Sequence, residues 1–187
     1  VAAGAAREEA FARTCLVPTL VELGEVEAGE RELDRAWQRL QAAPVAPNVA
    51  VVYLDLASVA AWAGRDAFAV EICAAGLELA RRHGFETYYG GGLVATGGDA
   101  LVSLGRLREA ADLLETSATT PVGGYIDLAR RITAAQVAVA MGDLERARAA
   151  LDAMSWPAGA DPVITRYRRC VEAELLVEEG RAEAVDS

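Results

Sequence analysis

The chain has 187 residues, of which 53% are hydrophobic, 25% charged and only 6% aromatic. Lysine is absent, so all 18 basic residues are arginine; they are spread from Arg7 to Arg181 and face 28 acidic residues, for a formal net charge of −10. That balance argues against direct nucleic-acid binding, which needs a segregated basic face, and against a membrane span, because the longest apolar stretch, from Val49 to Ala63, carries Asp55 and stops at Gly64.

The apolar content is mostly Ala, Leu and Val. That mixture favours closely packed helices over strands, which prefer β-branched and aromatic residues. Helical periodicity first runs over about 7–23, with Pro18 inside it as either a kink or a late start. It resumes at about 26–42, 47–63, 66–83, 88–104, 107–118, 124–141, 144–154 and 162–179. Pro44, Pro47, Pro121, Gly123, Gly124, Pro157, Gly159 and Pro162 supply breakers between pairs of these segments.

Within each pair one phrase recurs: Leu23-Gly24-Glu25-Val26, Ala63-Gly64-Arg65-Asp66, Leu104-Gly105-Arg106-Leu107, Met141-Gly142-Asp143-Leu144 and Glu179-Gly180-Arg181-Ala182. The glycines are 40, 41, 37 and 38 residues apart. Such a period is the mark of a stacked repeat. Gly ends the first helix of each pair in a left-handed turn, and Asp66 and Asp143 are candidate N-caps of the second. Small residues five and twelve positions after the Gly (Gly29 and Ala36, Ala69 and Gly76, Ala110 and Ser117) share a helix face and let the pair pack closely; the fourth unit has Ala147 and then Met154. The expected fold is all-α: one domain, a right-handed tetratricopeptide-like α-solenoid of about five antiparallel helix pairs, with units at about 7–43, 47–84, 88–119, 124–155 and 162–187. The chain opens on Val1 and stops at Ser187, inside what would be the last second helix, so it reads as a piece of a longer protein.

The residue inventory removes several chemistries. Without lysine there is no phosphate loop and no lysine Schiff base. The one histidine, His83, excludes an HExxH zinc helix, and no GxSxG elbow is present. His83 reads as a favourable residue at the carbonyl end of a helix. The three dispersed cysteines, Cys15, Cys73 and Cys170, read as small buried hydrophobes in a reducing cytoplasm. Gly90-Gly91-Gly92-Leu93-Val94-Ala95 fits a dinucleotide fingerprint formally, but the strand that fingerprint requires does not precede it; close helix packing is the better reading. The acidic run from Glu22 to Asp34, interleaved with Arg31 and Arg35, reads as a solvated helix face. No catalytic residue, cofactor or metal site is expected.

What remains is a groove. In stacked helix pairs the first helices line the inner surface, and projecting the helical period back from each turn Gly selects Ser58, Trp62, Asp99, Gln136, Tyr167 and Glu174. Tyr53, Tyr88, Tyr89 and Tyr125 stand near the starts of those helices, and Tyr and Trp are residues that binding surfaces favour. Tyr53 and Tyr89 join the groove candidates; gap-filling between units is the alternative for all of them.

The unit length and the phrases from Ala100 to Ala110 and from Val139 to Leu151 resemble the helical-repeat region of large ATP-binding LuxR-type bacterial transcriptional regulators, the MalT-like group. That resemblance implies a cytoplasmic, non-catalytic sensor arm that takes a small-molecule inducer or a protein partner in its concave groove, between flanking domains of a parent chain. Neither the phosphate loop nor the helix-turn-helix of such regulators lies in this sequence. Similar repeats also follow cyclase and kinase domains, so a structural scaffold or homo-oligomerisation module attached to such an enzyme is the alternative.

Overall fold

The structure is a computed structural model in which residues 5–46, 48–117, 124–154 and 162–181 are described; the side chains of Thr87, Tyr88, Ser117 and Tyr125 lie outside that set. The described residues are all α, with no strand. The helices are α1 (Ala5–Glu22), α2 (Val26–Gln41), α3 (Val49–Trp62), α4 (Asp66–His83), α5 (Gly91–Ser103), α6 (Leu107–Ser117), α7 (Gly124–Ala140), α8 (Leu144–Asp152) and α9 (Pro162–Glu178). The breaker positions Pro47, Pro121, Gly123, Pro157 and Gly159, and Ala182 onward, fall outside the described residues.

The recurring phrase folds the same way five times. Gly24, Gly64, Gly105, Gly142 and Gly180 have φ between 71 and 80°, a region that Gly enters without a Cβ penalty. In each turn the N–H after the Gly donates to the carbonyl five residues earlier, as Glu25 does to Leu20, Arg65 to Ala60, Arg106 to Leu101, Asp143 to Ala138 and Arg181 to Leu176, all at 2.8–2.9 Å. The Gly N–H closes the shorter bond inside it, for example to Val21 from Gly24 at 2.9 Å. These paired bonds satisfy carbonyls that a helix end otherwise leaves open. Asp143 caps α8 by accepting from the Arg146 N–H at 3.1 Å. Asp66, by contrast, is the first residue of α4 rather than its cap; Arg65 holds the cap position and its side chain makes no cap hydrogen bond.

The short turns fold α1 on α2, α3 on α4, α5 on α6 and α7 on α8. The odd-numbered helices also form a continuous row, each touching the next from α1 to α9, and each even-numbered helix packs on its hairpin partner and on the odd-numbered helix that follows. The spaced small residues sit on these contacts: Gly29, Ala36, Ala69, Gly76, Ala110 and Ala147 are buried, and Met154 is too. A Cβ on Gly76 would lie 3.0 Å from both Leu93 Cδ1 and Tyr53 Cβ, so α4 approaches α3 and α5 more closely than Ala permits without adjustment.

Three details differ from the sequence reading. First, α1 runs unbroken through Pro18, so the helix does not start there. Second, a single π turn, Glu86–Gly90, separates α4 from α5, and α5 begins at Gly91. Three consecutive glycines offer little intrinsic preference for α winding there. Gly92, Gly97 and Gly98 then lie in close helix contacts, with a Cβ on Gly98 meeting Thr133 Cγ2 of α7 at 3.0 Å. Third, only Cys73 is buried, its thiol pushed up to about 12 by burial. Cys15 and Cys170 are exposed, because they occupy the solvent side of α1 and α9 next to the buried Thr14 and Val171.

Candidate functional site

A cavity of about 550 Å³ opens along the row of odd-numbered helices, lined by side chains of α3, α5, α7 and α9 together with Asp66 at the start of α4. Its walls are largely apolar, from Leu54, Ala61, Ala95, Ile126, Ala129, Val163 and Ile164. Trp62, the last residue of α3, stands at the rim with 54% of its surface exposed. The polar groups are Asp55, Ser58, Asp66, Thr96, Asp99, Ser103, Thr133 and Tyr167. No arginine is among the described residues that line it.

The ordered centre of this surface is the Tyr167 hydroxyl on α9. It donates to Gln136 Oε1 on α7 at 2.7 Å, with Asp99 Oδ1 on α5 at 3.3 Å as a second acceptor and Thr133 Oγ1 on α7 at 3.2 Å. One phenolic proton serves only one acceptor at a time, so the shorter Gln136 bond holds it while the Gln136 amide also hydrogen-bonds the Asp99 carboxyl. Thr133 ties the group to its own helix through the Ala129 carbonyl at 3.1 Å. Three successive odd-numbered helices are thereby cross-linked by one polar network. Such networks rigidify a surface when their members are satisfied.

The network sits in an acidic field. Burial pushes the Asp99 carboxyl above its ordinary range, the hydrogen bonds from Gln136 and Tyr167 pull it back in part, and the Asp66 charge raises it again. Burial also raises Asp55, and burial with the Asp99 charge raises Glu174. Tyr167 is held well above the usual phenol value, first by burial and then by Asp99. Glu174 and Gln136 line a second cavity of about 600 Å³ between α7 and α9, so the acidic surface continues past the tyrosine.

Of the sequence-selected residues, the structure brings Asp99, Gln136 and Tyr167 into one hydrogen-bonded group and places Ser58 and Trp62 on the same cavity wall. Ser58 is exposed and its hydroxyl donates back to the Leu54 carbonyl at 2.8 Å. Tyr53 is 7% exposed and packs edge-on against Trp37, centroids 5.7 Å apart, so it belongs to the core between α2 and α3. Tyr89 lies in the π turn and does not line the cavity. The side chains of Tyr88 and Tyr125 are outside the described residues. Asp55, Asp66 and Thr133 also line the cavity, beyond the residues that the sequence points to. Asp55 stands three residues before Ser58 and Thr133 three before Gln136, one turn along the same helix face, so the periodicity that selected the later residue of each pair also reaches the earlier one.

Away from the cavity several carboxylates are paired with arginines. Arg13 bridges Glu9 and Glu32, Arg65 reaches Asp34 at 2.8 Å, Arg146 reaches Glu115 at 3.2 Å, and Arg148 grips Glu179. The acidic run from Glu22 to Asp34 is thus a partly paired face, with Glu32 held by both Arg13 and Arg35. His83 is exposed in the last turn of α4 and stacks on Phe85. Among the described residues no helix is long and apolar enough to cross a membrane, and no group of three or more His, Cys, Asp or Glu is arranged to hold a metal ion. The chain matches no protein-family model, no curated protein and no solved structure.

Proposed function

We propose that the chain is a non-catalytic binding module, a right-handed tetratricopeptide-like solenoid whose concave side, formed by the odd-numbered helices, takes an inducer or partner. The observation that carries this reading is the cavity of about 550 Å³ whose apolar walls surround the Asp99, Gln136 and Tyr167 group. Ligand sites combine those features: a concave apolar surface of a few hundred Å³ with a few fixed polar groups. The further assignment, to the sensor arm of a LuxR-type bacterial regulator acting in the cytoplasm between flanking domains, rests on the Gly-turn phrases and the unit length.

A thermal-shift screen of the chain against sugars, amines, carboxylates and nucleotides tests the binding reading. The expected result is a saturable rise in melting temperature with one class, abolished by Ser58→Trp, which fills the cavity from an exposed position. Absence of any shift across the panel, or a shift that Ser58→Trp leaves intact, contradicts it.

The scaffold reading draws on a different observation, the large apolar residues exposed on α1, with Phe11 47% and Leu16 52% exposed. It predicts concentration-dependent self-association in sedimentation, which Phe11→Ser and Leu16→Ser together remove.

A further inference from the structure

Resting on the groove reading above, we infer that the occupant of the cavity is a small organic cation with an apolar body, an ammonium or amidinium compound seated between Asp55, Asp66 and Asp99 with its hydrocarbon part on Trp62 and Ile126. Charge complementarity in a concave site selects that occupant. The three carboxylates come from three different helices, α3, α4 and α5, and all line one cavity. None of them is in an ion pair among the described residues, although the same chain pairs Glu9, Glu32, Asp34, Glu115 and Glu179 with arginines elsewhere. A single-sign lining with low-dielectric walls concentrates counter-ions of the opposite sign, and the chain's net charge of −10 adds to that field.

The shape then selects among cations. The carboxylates are not gathered into a group able to hold a metal ion, so a bare divalent ion lacks the ligand sphere it needs. A volume of about 550 Å³ suits a small molecule rather than a folded partner. Exposed Trp62 at the rim offers a large apolar side chain on which the hydrocarbon part can be buried. The charge attracts the ligand, and the apolar walls and Trp62 retain it.

The experiment is calorimetric titration of the chain with three probes sharing one aromatic body: 2-phenylethylamine as cation, 2-phenylethanol as neutral isostere and 3-phenylpropanoate as anion. Hexane-1,6-diamine serves as a second cation, and a basic nonapeptide stands for a polypeptide ligand. The expected result is saturable amine binding at least about tenfold tighter than either isostere, weakened about three- to tenfold by Asp55→Asn or Asp99→Asn while the alcohol is unaffected. Circular dichroism confirms that the variants remain helical. Binding of the alcohol or the carboxylate as tightly as the amine overturns the cation class but leaves the groove reading standing. Tight binding of the nonapeptide with neither amine binding overturns the small-molecule assignment. Binding that Ser58→Trp does not disturb places the ligand elsewhere and removes the groove reading itself, and failure of both amines to bind overturns the inference outright.

Discussion

The outer side of the molecule and the cavity side use the same residue types to opposite ends. Outside, arginines satisfy a number of the carboxylates, three of them across neighbouring hairpins at a sequence separation of 31: Arg65 with Asp34, Arg146 with Glu115 and Arg148 with Glu179. Inside, Asp55, Asp66 and Asp99 stand half-buried with no ion pair among the described residues. The outer carboxylates Glu9, Glu109 and Glu179 are accordingly held below their ordinary range by Arg13, Arg106 and Arg148, whereas burial raises Asp55 and Asp99. The signs of their pH dependence therefore differ. The outer pairs contribute stability that is present above the unfolded carboxylate range and is lost as pH falls through the lowered folded values. At Asp55 and Asp99 the native state binds protons more readily than the unfolded chain, so stability declines as pH rises from the ordinary carboxylate range through the raised values.

The largest effect is expected at the seam between the two sides. Gly76→Ala forces a Cβ against the backbone-proximal Tyr53 Cβ and against Leu93, and overpacking of this kind costs about 1–3 kcal/mol, partly offset by the better helix propensity of Ala. Urea unfolding measures it. Next comes Gly142→Ala, where φ of +77° puts an L-residue in the left-handed region at a cost of about 1–2 kcal/mol. If that cost is absent, the turn is not what fixes the hairpin. Within the cavity, Tyr167→Phe removes the donor to Gln136 and lowers stability by about 1 kcal/mol. Smallest is the outer lattice: Arg146→Ala, which breaks an exposed pair with Glu115, changes stability by less than about 1 kcal/mol, and the change disappears in about 1 M salt. An Arg146→Ala loss as large as that of Tyr167→Phe erases the distinction between a structural lattice and an ordered site.

The all-helical fold was readable because one physical requirement, a left-handed residue at each hairpin turn, leaves a glycine at each turn and spaces small residues behind it. Gly24 through Gly180 mark the turns, and Ala36, Ala69 and Ala147 mark the contacts. The cavity was readable only in part. Helical phase reached Asp99, Gln136 and Tyr167, but phase measured from the turn does not report whether a neighbouring hairpin covers a residue, and Tyr53 turned out to be covered by Trp37. Its position after the turn marks Asp66 as a cap candidate, while its role in the lining depends on how α4 begins beside α5. Residue type and an apolar helical setting suggest burial for Cys15 and Cys170, but neither says which side of a helix faces solvent, and both are exposed.

If a bound cation is what the cavity carboxylates await, their burial without an ion pair costs stability in its absence. The urea unfolding midpoint of the chain and of its Asp55→Asn/Asp99→Asn variant, at neutral pH with and without 2-phenylethylamine, tests it most directly. The variant is expected to unfold at higher urea than the unmodified chain when no amine is present, and the amine to raise the midpoint of the unmodified chain alone. A variant that is no more stable without amine, or an amine that shifts both proteins equally, contradicts it.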